Sequence, residues 1–548
     1  MKPALSRAAT VMGAATALSR VLGFGRVLVI AAVLGTTDLG NVFSASNSVS
    51  NVLFDLLAAG ALSAVLVPAF VELLDRSSDE EPAEQLAGTL LGWSLFVLVP
   101  VCLTGVLAAP AIARLLVAGT PDPSVAAAQA QLATFLLRLF VPQVLLYAVG
   151  AVTTAVLHAK RRFAVTAVAP IGNTMVMVAA LVVFRVLHGP GAPGLQLRFS
   201  ERLALGAAGT LGVAAFVGIP AIALRATGFR LRLGLRGLGT QGLARAVRLS
   251  GWAGLQHAGT GILLAAALLV GMGTQGGVVA YQVAFAFFLV PYAVLALPLI
   301  TAVLPELAGE ASRGDLPGFG RSLRWALDGM LVLVVPVSVA AVVFAPRVME
   351  ALAFGQTSGA GGRLIGSALA ALAVGLGPYG AFLLFVRAHY AVGEGRAPAV
   401  VALGSAALGA LLMAAVGSAL HGEARLMAMG AGHSAAYLAG AWVLGAGLTR
   451  RTGERLAPAG LGRSIAVAGG LGLAAALALA ALDPVGRVQT LVVVTGLVAV
   501  GGAVYTGLVR PGRGVPPQKP GRGVPPQKPG RGVPPQKGGR AVVRAESA

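Results

Sequence analysis

The chain has 548 residues, of which 57% are hydrophobic and 11% charged, with a mean hydropathy of +0.84. So little polar material cannot cover a soluble globule, and the composition is that of a polytopic membrane protein. The formal charge of +21, from 41 Lys and Arg against 20 Asp and Glu, then marks cytoplasmic loops and argues against nucleic acid as a partner.

The first apolar run, about residues 10–34, carries Arg20 and Arg26 in what is otherwise a spanning segment. It continues too far past those arginines to be a cleavable signal. An arginine at the centre of a spanning helix costs about 2.5–3.5 kcal/mol even on the lenient insertion scale, so such residues usually face a wet cavity lined by protein. Six residues turn a regular helix by roughly 240°, so the two arginines do not share a face. Gly23 and Gly25 lie between them, and a distortion there would bring both guanidinium groups to one cavity.

The second run, 44–71, supplies Asn47, Asn51 and Asp55, the last an acid placed to balance an arginine. Twelve further runs follow near 88–117, 128–157, 163–187, 203–225, 247–272, 277–304, 322–345, 364–392, 397–419, 427–448, 461–481 and 487–509. That makes about fourteen, at roughly 20 residues per crossing of ~30 Å of hydrocarbon. The expected fold is an all-α polytopic membrane protein with an even count and both termini on one side.

The basic residues decide that side. Even-numbered connections hold Lys160, Arg161 and Arg162, the series Arg225 to Arg248, Arg313 to Arg324, and Arg450 to Arg463, so both termini are expected in the cytoplasm. The acidic stretch Asp75 to Glu84 stands weakly against this. Cys102, the single cysteine, sits in an apolar run and excludes an internal disulfide or a cysteine-cluster metal site.

An internal repeat lies behind the runs. Val67-Pro68 returns as Leu304-Pro305, 237 positions on, and Pro142 returns as Pro378, 236 on. Two six-helix lobes, 1–226 and 227–450, are expected around a central cavity, with 451–510 as two added helices. Pro291, Pro298 and Pro305 fall seven apart in the eighth run, where each removes a backbone donor, so bends there would serve gating. From 511 to 548 the thrice-repeated PGRGVPPQK forms an expected disordered basic tail able to touch anionic lipid.

Catalytic signals are absent: no nucleophile elbow, no H-E-x-x-H and no P-loop, and the two G-x-G-x-x-G matches at Gly237 and Gly271 follow no strand. Among the scattered histidines, intramembrane His257 is a candidate proton relay or, more simply, a packed core residue. Arginine's planar fork matches phosphate oxygens, so a cavity holding Arg20 and Arg26 suits an anionic, phosphate-bearing headgroup. A structural pairing of either arginine with Asp55 is the competing reading.

Ser19-Arg20-Val-Leu-Gly23-Phe-Gly25-Arg26, Leu34-Gly35, Asn51, Ala59-Gly60-Ala61-Leu62-Ser63 and Val67-Pro68 resemble the opening of the MurJ/MviN lipid II flippases. Run 8 ending ITAVLPELA, VLHAKRRF after run 4 and RAHYAVGEGRAP after run 10 extend the resemblance over roughly 5–509, and the Ala, Gly and Arg richness resembles actinobacterial members. The resemblance implies a transporter of the multidrug/oligosaccharidyl-lipid/polysaccharide exporter superfamily. It would turn lipid II to the outer leaflet of the cytoplasmic membrane by alternating access, as a transporter and not an enzyme. It implies no cofactor, coupling to the membrane potential or an ion gradient, and membrane lipids and cell-wall synthesis proteins as further partners.

The chain departs from the family's pattern. Val27 stands where an acid is usual, Asn41 where an aspartate is, Phe54 and Asp55 where an arginine pair is, and Ala284 near a helix 8 arginine. Arg20, Arg26, Asn41, Asn47, Asn51 and Asp55 form the candidate substrate-binding set, with Gly23, Gly25, Pro291 and Pro298 as candidate gating residues. The alternatives are a flippase for another polyprenyl-linked saccharide, a drug or cation antiporter, which would want a more acidic cavity, and a non-transporting scaffold, which needs no polar cavity.

Overall fold

The computed structural model describes residue 18 and residues 21–58, 67–76, 80–191, 193–235, 240–353, 355–357, 359–458 and 460–509. Arg20, the side chain of Asp55 and the tail from 511 lie outside the described residues. All the described helices belong to one compact unit, Met1–Pro511.

Every regular element among the described residues is helical. Hydrocarbon offers backbone groups no partner, and a helix satisfies its own. In chain order these are α1 (Val21–Leu34), α2 (Asp38–Ala58), α3 (Val67–Arg76), α4 (Glu81–Leu107), α5 (Ala109–Leu116), α6 (Pro123–Phe140) and α7 (Gln143–Ala159). Next come α8 (Phe163–His188), α9 (Phe199–Arg225), α10 (Thr240–Gly271), α11 (Gly277–Pro291), α12 (Leu297–Ser312) and α13 (Leu316–Leu352). The last are α14 (Ala360–Val374), α15 (Leu376–Ala391), α16 (Arg396–Gly417), α17 (Gly422–Thr452), α18 (Leu461–Leu482) and α19 (Arg487–Leu508).

Among the described residues ten helical stretches are long and apolar enough to cross a membrane, or eleven when α14 and α15, bent by 50°, count as one span. The other three apolar runs fall on α1, α2 and α17. Serine and asparagine dilute α2, and glycine, His433 and Ser434 dilute α17. Length and apolarity therefore establish fewer crossings than the fourteen expected.

Several runs are broken. The fourth divides at Val141-Pro142 into α6 and α7, and the tenth divides at Gly375, just before Pro378, so the break recurs at the repeat interval. The eighth contains a π-helical turn, Tyr292–Ala296, between Pro291 and Pro298. Proline's missing N–H removes a rung of the ladder there, and such π turns mark functional positions in helices. By contrast α1 runs through Gly23 and Gly25 without interruption, and a Cβ at either glycine would meet nothing within 4 Å.

Polar contacts sort the connections onto two faces. Lys160 pairs with Glu80 at 2.7 Å and donates to Thr227, the Arg230 amide donates to Glu84, Arg321 lies near Glu454, and Arg451 pairs with Glu394. All of these join even-numbered connections. Of the acids in the 75–84 stretch, Glu80 thus partners a base of that same face and Glu84 accepts from a backbone amide there. On the opposite face Gln129 donates to Asp38, Asn41 reaches Thr274, and Arg363 pairs with Glu350 and Glu423, which joins odd-numbered connections.

The interior is divided likewise. One large core gathers α10 to α17, a second lies among α2, α5, α6, α8 and α9, and a third among α4, α7 and the segment around Phe229. α18 and α19 pack on α13, and Tyr505 donates to the Val332 carbonyl at 2.9 Å. Between the halves, residues 229–235 run extended along α4. The Gly234 amide donates to Gly88, Trp93 donates to the Leu235 carbonyl, and Gly88 and Gly92 leave the room this needs, since a Cβ at either would collide with the carbonyl of Arg232 or Gly234.

Candidate functional site

α1 lies between the two largest cores. Val27, Leu28 and Ala31 pack toward the C-terminal one, and Val29, Ile30, Val33 and Leu34 toward the N-terminal one, while Phe24 meets Phe287 of α11 edge-on at 4.9 Å. Arg26 is half-buried on this helix, about 12 Å from Leu34 at 1.5 Å per residue. Its electrostatic neighbour is the Tyr147 phenol of α7, and among the described residues no hydrogen bond or ion pair engages its guanidinium.

The polar stripe of α2 borders the same seam in layers. At the Asp38 end, Asn41 is fully buried: its amide donates to the Thr274 carbonyl at 2.8 Å, and its oxygen accepts from the Val278 amide at 2.9 Å. Gln129 donates to Asp38 at 3.0 Å, and Thr120 donates to Gln129 at 2.7 Å. Burial pushes the Asp38 carboxyl up, and the Gln129 hydrogen bond pulls the other way. Gly276, in the left-handed region at φ 71°, allows the α10–α11 turn to lie against Thr36, where a Cβ would overlap the Thr36 backbone.

Deeper in, Gln282 of α11 donates to Ser48 at 2.9 Å, and Tyr147 donates to Asn51 at 3.1 Å. Asn47 is half-buried beside them, and the buried hydroxyls of Ser46 and Ser50 have no partner among the described residues. The structure therefore brings Arg26, Asn47 and Asn51 to one seam. Asn41 sits in that seam as a bridge, both ends of its amide engaged by backbone. Pro291 and Pro298 flank the π turn farther along α11 and α12.

Sequence reasoning missed Gln129, Tyr147 and Gln282, each polar within an apolar run, which was the available signal. It also singled out His257, whereas His433, likewise intramembrane, is the buried one, with its Nδ1 2.9 Å from the Tyr281 hydroxyl. A separate apolar groove of about 950 Å³ lies between α13, α15, α17 and α18, with Trp442 and Arg450 on its wall. No group of three or more metal-ligating side chains occurs among the described residues.

The family model described as Lipid II flippase MurJ matches residues 30–498. The probable lipid II flippase MurJ of Rhizobium tropici is 26% identical over 366 residues, covering 67% of this chain and 67% of its own. The lipid II flippase MurJ of Burkholderia cenocepacia is 25% identical over 415 residues, covering 73% and 76%. Among solved structures, lipid II flippase MurJ in an inward closed conformation aligns with a TM-score of 0.68 at 16% identity, covering 91% of this chain and 99% of its own. An inward-facing multidrug resistance MATE family transporter of the MOP superfamily aligns with a TM-score of 0.64 at 15% identity, covering 81% and 98%. At such identities the likeness is one of fold.

Proposed function

The chain belongs to the lipid II flippase MurJ family, and from that premise we propose that it moves lipid II from the inner to the outer leaflet of the cytoplasmic membrane by alternating access. No bond is made or broken, so the protein is a transporter and not an enzyme. Residues 1–226 and 227–450 act as two lobes and 451–510 as an added helix pair. The Lys160 face is cytoplasmic, with both termini, and the Asp38 face is outward. The bonded layer around Asn41 then closes the outer side of the cavity, and lipid II is admitted from the inner side. Membrane lipids surround it, and cell-wall synthesis proteins are its natural partners.

One observation carries the reading of the site. Arg26 is a half-buried cation between two cores, with no counter-ion among the described residues. An intramembrane charge of that kind marks a substrate path, and its fork fits a pyrophosphate bidentately. The family match begins at residue 30, so the role of Arg26 rests on its position. Arg20, Asn47, Asn51 and Asp55 complete the proposed headgroup site.

The test is lipid II movement per folded molecule in proteoliposomes. Arg26→Ala is expected to lower it by about 10–100-fold, the equivalent of one lost charge-assisted hydrogen-bonded contact of ~1.5–3 kcal/mol, with Arg26→Lys in between because lysine keeps charge but not the fork. Unchanged movement in Arg26→Ala, or full rescue of Arg26→Ala by Asp55→Asn, would remove the headgroup role.

A further inference from the structure

The C-terminal core contains an ionisable group that the headgroup site does not use. His433 of α17 is 5% exposed. The Tyr281 hydroxyl of α11 meets its Nδ1 at 2.9 Å, while its Nε2 is buried without a hydrogen-bond partner among the described residues. Aromatic rings surround it: Tyr437 at 4.9 Å between centroids, Phe285 at 5.2 Å, Phe288 at 6.0 Å and Tyr281 at 6.3 Å.

Whichever tautomer is present, one ring nitrogen lacks a partner. If Tyr281 donates to Nδ1, an N–H at Nε2 is stranded; if Nδ1 donates to Tyr281, Nε2 offers a bare lone pair. Burying either is unfavourable. Protonation would place a charge among these rings, where burial disfavours it unless water or a rearrangement reaches it. The titratable groups facing His433 are phenols: Tyr281 from α11, Tyr437 from its own helix and Tyr379 from α15, which stacks edge-on against Phe288 and Tyr437. Tyr437 is hydrogen-bonded by Thr260 of α10. The other helices packed on α17, namely α13, α14 and α16, bring no charge to bear on it among the described residues.

We propose that His433, held by Tyr281 within this aromatic enclosure, is the binding site for a coupling proton, and that its protonation loosens the seam closed by Asn41. The connection runs through α11. Tyr281 adjoins Gln282, whose side chain reaches Ser48, and lies one turn from Val278, whose amide bonds Asn41. A charge in an apolar core is stabilised by admitting water or by moving its surroundings. Among the described residues, Tyr281 is the hydrogen-bonded contact through which that movement passes to α11. The π turn Tyr292–Ala296 at the far end of α11, with Tyr292 against Tyr379 at 4.8 Å, supplies the give. The closed seam of this structure is the deprotonated state.

The inference rests on the flippase reading for its purpose but not for its test. The full chain is placed in proteoliposomes with lipid II, the membrane potential is clamped, and a pH difference of about one unit is imposed. For one coupled proton that difference is worth up to about tenfold in rate. Wild-type movement is expected to follow the pH difference, and His433→Gln and His433→Phe are expected to lose that dependence while still responding to an imposed potential. A folded His433→Gln protein that keeps the full response, or wild-type movement indifferent to pH, overturns the proposal.

Failure of wild type to move lipid II under any condition sinks the flippase reading instead. The proton site is then decided by hydrogen–deuterium exchange of residues 274–282 without lipid II. Faster exchange on acidification in wild type but not in His433→Gln supports it, and equal behaviour in both overturns it.

Discussion

Asn41 and Val278 stand 237 positions apart and are joined by a hydrogen bond of 2.9 Å from the Val278 amide to the Asn41 side-chain oxygen. The same interval separates Val67-Pro68 from Leu304-Pro305 and, within one residue, Pro142 from Pro378. The bond therefore spans the interval of the sequence repeat and ties α2 to the start of α11.

Asn41→Ala removes both bonds of this bridge and leaves the Val278 amide and Thr274 carbonyl unsatisfied, a cost of about 1–3 kcal/mol. Hydrogen exchange of residues 274–282 is expected to speed up by about 5–140-fold at neutral pH, since each 1.4 kcal/mol is tenfold. Unchanged exchange would show that the seam is held elsewhere.

Asp38 gives a pH dependence with a definite sign. Burial raises its carboxyl above the ordinary value, so the folded chain holds that proton more tightly than the unfolded one and gains stability as pH falls through that window. Asp38→Asn keeps an acceptor for Gln129 and removes the buried charge. It is expected to melt at a higher temperature than wild type near neutral pH, with the difference vanishing in acid. A lower melting temperature at neutral pH would reverse the assignment of burial as the dominant influence.

The orientation is testable by labelling. In a Cys102→Ser background, an impermeant thiol reagent applied to intact cells is expected to modify Pro121→Cys, on the Asp38 face, and not Arg162→Cys, on the Lys160 face; both positions are exposed. The reverse pattern would invert the topology.

The segment joining the halves depends on two missing side chains. A Cβ at Gly88 would lie 1.7 Å from the Arg232 carbonyl oxygen and one at Gly92 2.2 Å from that of Gly234, so Gly88→Val is expected to dislodge residues 229–235 from α4. Trypsin should then cleave after Arg230 or Arg232 several-fold faster than in wild type. Gly218→Ala, where a Cβ meets nothing within 4 Å, is the control. Equal cleavage in Gly88→Val and wild type would show that the docking is unimportant.

The sequence by itself determined the class, the helical fold and the sorting of loops, because hydrocarbon forces every crossing to be an apolar helix and because arginine and lysine accumulate on one side. The prolines of the eighth run foretold its disturbance, since a missing N–H acts locally whatever surrounds it, whereas the breaks in the fourth and tenth runs were not read from the sequence, where Pro142 and Pro378 marked only the repeat. The set of motifs from Ser19 to RAHYAVGEGRAP was enough to point to the family that the comparison bears out.

Only the tertiary structure decided what each polar residue touches. Asn41 and Asn51 look alike in a list of residues, yet one is locked between backbone groups of the other half and the other meets Tyr147 in the seam. His257 and His433 both fall in apolar runs, and only packing made His433 the buried partner of Tyr281. Gly88 and Gly92 mean nothing until a chain segment 142 or more residues away lies on them. Periodicity and composition report how a residue faces its own helix, whereas hydrogen-bond partners, counter-ions and close approaches come from helices far away in the chain, which are fixed only when the helices assemble.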